Sequence, residues 1–466
     1  MATKIAKLVI VGHGAAGLAA ALSAAEEARR RGTAIDITIL EKAREEEAGG
    51  NTRFSPSYMR MAAPDRVAPG FGEDMFGACG GQGDADYFRT LAERAASTMA
   101  WLQSHGVEFS IPPYYLSVGP PRIQPVGGGR AIIERLGQAA KTADVRIRYA
   151  SAATRLILSQ GRISGIALQS DGGTTSTLAA DAVVLATGGF QGDGAMMQAQ
   201  FGPLARSLML ISPGTRFDTG DGIRMAREQG ARVSGDWDGM HIEPVDPRSA
   251  HPAPVVLVYP YGIVVDQAGR RFFDEGGGLV HETWEGFARD IHFSRPGSVA
   301  YAILDSRLFE IADYRRAIRS DVPPFQSDTI EGLAAQINIA ADALLHTVNA
   351  FNAAANGNIS QFDATCCDGL AAAPTLTPPK SNWARPLNSP PYLAYPLVGA
   401  IAYTFGGLST NAKAEVLGEQ GPIPGLYAAG EISGNFYRTA PNAVSMLRAL
   451  VFGRIAGQRA VESLRS

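Results

Sequence analysis

The spacing of apolar and polar positions changes rhythm twice along this chain. Residues 8–11 are an unbroken apolar run, as in a strand buried on both faces of a parallel sheet. Glycines at 12, 14 and 17 follow, then an Ala-rich stretch closing on charges at 26–31, which predicts a helix. Residues 37–40 predict a second buried strand. Residues 86–106 predict a helix stopped by Gly106. Residues 126–142 repeat the glycine-then-helix order, and residues 145–170 alternate in the β manner about a turn at Gly161. Residues 179–191 predict a buried strand ending in Thr187-Gly188-Gly189, and residues 219–231 a turn opening a helix. Near 235 this alternation stops. Residues 236–394 are richer in Pro, His and Trp, with one clear helical piece at 327–355 that Ser327 or Asp328 would cap. From about 395 the Gly-rich strand–turn–helix order returns. The expectation is α/β: a discontinuous domain over 1–235 and 395–466, interrupted by an α+β domain over 236–394, with the site between them.

The first unit has a physical purpose. Gly12 permits a tight turn, Gly14 lets the backbone approach a pyrophosphate, and Gly17 lets the helix pack on the strand. The pyrophosphate then meets free N–H groups at the helix start. Glu41 ends the second strand, where a carboxylate binds a ribose hydroxyl and repels a 2′-phosphate. This predicts a dinucleotide site. A signal peptide is the other reading of Lys4, Lys7 and the Ala-rich run, but His13, three glycines and the charges at 26–31 break any apolar core.

Composition narrows the picture. The 466 residues, 45% hydrophobic and 19% charged, are enough for two or three globular domains. A formal charge of −3 argues against nucleic acid as the main partner but leaves local arginines free to bind a small anion. Cys79, Cys366 and Cys367 form no disulfide framework and no CxxC pair, so a reducing, cytoplasmic location is expected. No apolar stretch reaches 18 residues, so no membrane span is expected, and no metal-ligand spacing stands out.

Nine segments, in order over nearly the whole chain, carry a resemblance: GHGAAG (12–17), GGNT (49–52), VVLATGGF (183–190), TGDGIRMA (219–226), GRRFFDEG (269–276), AYAILDSR (300–307), TFGGLSTN (404–411), GLYAAGEISG (425–434) and VFGRIAG (451–457). The chain resembles the FAD-dependent succinate dehydrogenase/fumarate reductase flavoproteins, and among them the soluble single-chain members such as tricarballylate dehydrogenase and the ketone or enoate desaturases. The resemblance implies a discontinuous Rossmann-like FAD-binding domain with an inserted capping domain. It implies that Gly12, Gly14, Ala16, Gly17, Glu41 and Lys42 hold the ADP half of FAD. Gly50, Asn51 and Thr52 would lie near the flavin, Ala153 at adenine, and Thr187 and Gly188 along the pyrophosphate. Asp221 and Glu431 would lie on the ribityl side. Ser445 and Leu447 would present N–H groups to the pyrimidine edge at a helix start, where the reduced ring is anionic.

On the substrate side, the family's arginine clamp appears as RTAPNA (438–443), keeping Arg438 and Asn442. Arg438 suits bidentate binding of a carboxylate; a surface loop arginine is the other reading. Arg307, in LDSR, matches the family's proton donor and reads equally as a positioning charge. Glu275 matches an acid on the proton path, or a plain salt bridge. The family's His-Thr is replaced by Tyr403-Thr404, and its His-Pro region by His241-Ile242-Glu243-Pro244. Tyr403 would then meet a ketone oxygen or take an α-proton, its pKa lowered by Arg307 or Arg438. His241 is a site residue or a core histidine, and Tyr437 a further hydroxyl. The loop REEEAGGNT holds no histidine for a covalent flavin link, so FAD is expected to bind non-covalently. The expected activity is desaturation of a Cα–Cβ bond beside a carboxylate or ketone of a small acid, with hydride passing to flavin N5. Without Fe–S or haem cysteine spacing, electrons would leave to a separate acceptor: oxygen, a quinone or an electron-transfer protein. The rivals are a soluble enoate reductase and a non-catalytic flavin-binding subunit.

Overall fold

The computed structural model describes residues 5–113, 116 and 119–464. β1 (Ala6–Val11), α1 (Ala15–Arg31) and β2 (Ile35–Leu40) form the expected strand–helix–strand unit. α2 (Gly128–Thr142) leads into β3 (Arg146–Arg148), and β4 (Ala182–Leu185) follows a three-stranded antiparallel excursion over residues 151–179. β5 (Met209–Leu210), β6 (Met240–Val245) and β7 (Ile263–Val265) belong to a second sheet. After α3 (Val280–Ser294), that sheet continues with β8 (Ala300–Asp305), β9 (Phe325–Ser327) and the long β10 (Tyr392–Thr404). β11 (Glu415–Gly418), β12 (Gly421–Ala428) and α4 (Ser445–Ser463) return the chain to the first domain.

The first sheet runs β11-β12-β4-β1-β2-β3 and is parallel except for β11 against β12. Its central strands are apolar at nearly every position because both faces are covered, one by α1, α2 and α4 and the other largely by the antiparallel strands of residues 151–179. α1 and α4 pack side by side, closely enough that a Cβ on Gly457 would lie 2.1 Å from the Ala20 carbonyl oxygen.

β10 is the spine of the second sheet. It pairs with β8 and β9 along its first half, with β6 along its second, and with β5 in parallel. This shifts the boundaries expected at 235 and 395. The strand runs unbroken past 394 to Thr404, because the Pro-rich stretch before it only leads the chain into the sheet. At the other end, Met209–Leu210 already belongs to the second sheet. The two passages meet at a neck, where Val233–Ser234 pairs antiparallel with Gly407–Leu408. The helical piece expected at 327–355 is two helices, Ile330–Gln336 and Ala341–Ala354. Asn338 between them sits at φ 56, outside helical space, and Thr329 rather than Ser327 or Asp328 caps the first.

Candidate active site

A cavity of about 1020 Å³ lies between the two domains, at the upper end of the roughly 300–1,000 Å³ usual for small-molecule sites. Its first wall follows from backbone constraints. A Cβ on Gly12 would lie 2.2 Å from the Ala186 carbonyl oxygen, and one on Gly17 would lie 1.9 Å from that of Gly12. Neither position tolerates another residue without a shift of the turn. Gly14 opens α1 without a side-chain cap, so the helix start keeps donors for an anion. Glu41 is fixed at the end of β2 by accepting from the backbone N–H of His13 (2.9 Å) and of Ala43 (2.7 Å). Lys42 pairs with Asp221 at 2.8 Å.

Gly12, Gly14, Ala16, Glu41, Lys42, Gly50, Asn51, Thr52, Ala153, Thr187, Gly188, Asp221, Glu431 and Ser445 all line this cavity. Gly17, Thr404 and Leu447 are buried and do not line it. The Oγ atoms of Thr187 and Ser445 are buried in the wall without a hydrogen-bond partner. Orphaned donors, a glycine cradle and an acid at the strand end fit FAD laid from Glu41 towards α4.

Two buried carboxyls under this wall escaped the sequence reading as a pair. Asp218 accepts from Asn51 Nδ2 (3.1 Å) and Gln191 Nε2 (3.0 Å), and Glu431 from the Thr404 N–H (3.1 Å). Burial pushes Glu431 up to about 7, against the pull of the Thr404 N–H and of Arg448. Burial and then the neighbouring Glu431 raise Asp218 well above the carboxylate range.

The second wall comes from β6, β10 and α3. Register pairs His241 of β6 with Tyr403 of β10, and their rings stack with centroids 4.7 Å apart. His241 Nε2 lies 3.1 Å from Glu243, and Nδ1 lies 3.3 Å from Glu285 on α3. Burial opposes charge on His241, but Tyr403 and the two carboxylates outweigh it and hold its pKa well above the usual value. Burial raises the Tyr403 phenol, and the His241 cation only partly offsets this. The expectation of a lowered Tyr403 pKa is therefore reversed in this cavity: desolvation is the larger effect, and Arg307 is elsewhere.

Arg438 and Asn442 line the cavity mouth. Arg438 sits at φ 60, its N–H facing Asp236 at 3.3 Å and its side chain running over Gly80. Tyr437 turns its hydroxyl back to accept from the Gly235 N–H at 3.0 Å and does not line the cavity. Arg307 and Glu275 are not in the wall either. Arg307 is engaged by Asp305 and the Pro386 carbonyl. Glu275 is 0% exposed, accepts from the Val264 N–H and pairs with Arg271 at 2.6 Å. Both build the interior of the second domain.

The cavity instead carries cations that sequence reading missed: Arg60, Arg122, Arg289, Arg319 and Arg448. One signal was available. His281, Glu285 and Arg289 recur every four residues, so one face of α3 presents all three to the cavity.

A dinucleotide cradle in a discontinuous α/β domain, facing a second domain across an arginine-rich cavity, defines a two-domain flavoenzyme. The chain belongs to the family described as FAD binding domain, whose model matches residues 7–444, and to the succinate dehydrogenase/fumarate reductase flavoproteins within it. It is 28% identical over 478 residues to the probable fumarate reductase Ifc3 of Shewanella frigidimarina (strain NCIMB 400), covering 98% of this chain and 75% of that one. It is 29% identical over 364 residues to the 4-oxocyclohexanecarboxylate 2-dehydrogenase of Sinomonas cyclohexanicum, covering 72% of this chain and 61% of that one. Its fold matches the open conformation of a flavocytochrome c3 fumarate reductase with a TM-score of 0.79 at 26% identity, over 100% of this chain and 79% of that one. The chain is thus an FAD-dependent oxidoreductase acting on CH–CH groups. Among the described residues no helix is long and apolar enough to cross a membrane.

Proposed function

We propose that the chain interconverts a small carboxylic or keto acid and its α,β-unsaturated counterpart, and that reduction of the enoate is the direction its site favours. The observation that carries this reading is the Tyr403–His241 stack, with His241 held between Glu243 and Glu285. The phenol, whose pKa burial raises, and the imidazole set between two carboxylates suit a donor to the substrate α-carbon. Arg438 and Asn442 hold the substrate carboxylate at the mouth, and the neighbouring arginines draw an anion in. The N–H groups at the start of α4 face the flavin's pyrimidine edge. FAD, bound non-covalently, supplies the two-electron redox partner. Arg307 and Glu275 act from inside the second domain, as supports rather than as acid or base.

Desaturation uses the same groups in reverse, with Tyr403 as base. The dehydrogenase relative supports that second reading. The test is anaerobic, with small acids added to the yellow holoenzyme and enoates added to the same protein after dithionite reduction. Return of the oxidised flavin absorbance on adding an enoate supports reduction. Bleaching by a saturated acid, with no enoate active, replaces it by desaturation. Silence in both arms overturns both.

A further inference from the structure

Arg448 is a buried cation that neither reading uses. It is 1% exposed, belongs to the first turn of α4 and lines the cavity. One guanidinium nitrogen donates to the Ser433 carbonyl at 3.2 Å, and the group lies over the Phe436 ring, 3.8 Å from its centroid. Its position is therefore fixed. Its Nε has no hydrogen-bond partner. Among the described residues no carboxylate stands within ion-pair distance of it. The helix adds to the imbalance, because α4 has no acidic residue in its first turn and its N-terminal dipole is positive. The buried Glu431 carboxyl and the Tyr87 hydroxyl feel its charge, yet no ion pair neutralises it, so it remains available to an anion that the cavity receives.

We propose that Arg448 is the fixed counter-charge for the negative charge that the FAD ring gains on reduction at its pyrimidine edge. This rests on the assignment of that edge to the start of α4, made through Ser445 and Leu447. Arg448 and the helix N-terminus both border the cavity. Together they keep the reduced ring deprotonated there, in the form that is the stronger hydride donor.

The experiment uses substrate-free holoenzyme, so that a substrate carboxylate cannot take part. The midpoint potential is measured by dye equilibration from about pH 6 to pH 8. Sulfite is the second probe: it bonds to flavin N5 and moves an electron pair onto the pyrimidine edge. Wild-type protein is expected to take up one proton per two electrons across the range, a slope of about 30 mV per tenfold change in proton concentration. Arg448→Met is expected to bind sulfite at least about tenfold more weakly, with a potential lower by about 30 mV for each tenfold in the reduction equilibrium. Arg448→Lys, which keeps the charge, is expected to stay within about threefold of wild type. A folded, FAD-loaded Arg448→Met with native potential and native sulfite affinity overturns the proposal, and so does uptake of two protons by wild type throughout the range. If Arg448→Met does not fold, Arg448→Gln against Arg448→Lys and the wild-type slope decide. Failure of the flavin assignment itself reads differently, as purified protein without bound FAD.

Discussion

At the scale of single residues, the proposed function gives Arg438 a binding role and Tyr403 a proton-transfer role. Arg438→Lys should load FAD normally but lose about 100-fold in kcat/KM, because an ammonium cannot reproduce a bidentate carboxylate contact. Stopped-flow turnover and the flavin spectrum check the two halves of that statement. Tyr403→Phe should slow reoxidation of the reduced enzyme by its enoate about 100-fold, the usual scale for a proton-transfer group, with substrate affinity retained. Glu431 gives a prediction about pH. Its folded pKa, near 7, lies above the 4.5 of an exposed Glu, so the folded state binds its proton more tightly. That contribution is fully present below about pH 4.5 and is lost as pH rises through about 7. The FAD-free protein should therefore melt at falling temperature between those limits, and Glu431→Gln should flatten the curve.

At the scale of elements, legibility in the sequence followed the range of the contacts involved. The β1–α1–β2 unit was readable because its constraints are local: Gly12 must clear Ala186, and Gly17 must clear Gly12. The second wall was not. His241 meets Glu285 across 44 residues, and Arg448 acquires its setting from Ser433 and Phe436. Arg307 and Glu275 illustrate a different gap. Their motifs were visible, but the partners that occupy them, the Pro386 carbonyl and Arg271, are revealed only by packing. The α1–α4 contact carries the prediction for this scale. Gly457→Ala sets a methyl group against the Ala20 backbone and should cost about 1–3 kcal/mol by overpacking. The urea midpoint should fall. FAD should bind more weakly as well, since the starts of both helices border the cavity.

At the scale of the whole molecule, the family, the α/β class and the cofactor were all readable, because nine separated segments point to one ligand. The domain edges were not, since composition marks where prolines cluster rather than where a sheet ends. Acid precipitation should leave the flavin in the supernatant as FAD. Added FAD at 100 times its Kd should stabilise the apoprotein by about 2.7 kcal/mol, read as a higher melting temperature. Flavin retained in the pellet would contradict the non-covalent assignment.

β10 deserves a mechanical description. One end is clamped by β8 and β9 deep in the second domain, and the other delivers Tyr403 to the cavity and then enters the neck at Gly407. A hydrogen-bonded strand transmits rotation but does not absorb it. If Tyr403 carries the proton as proposed, a swing of the second domain about that neck would re-aim the phenol, and opening for substrate entry would disarm the proton carrier in the same movement.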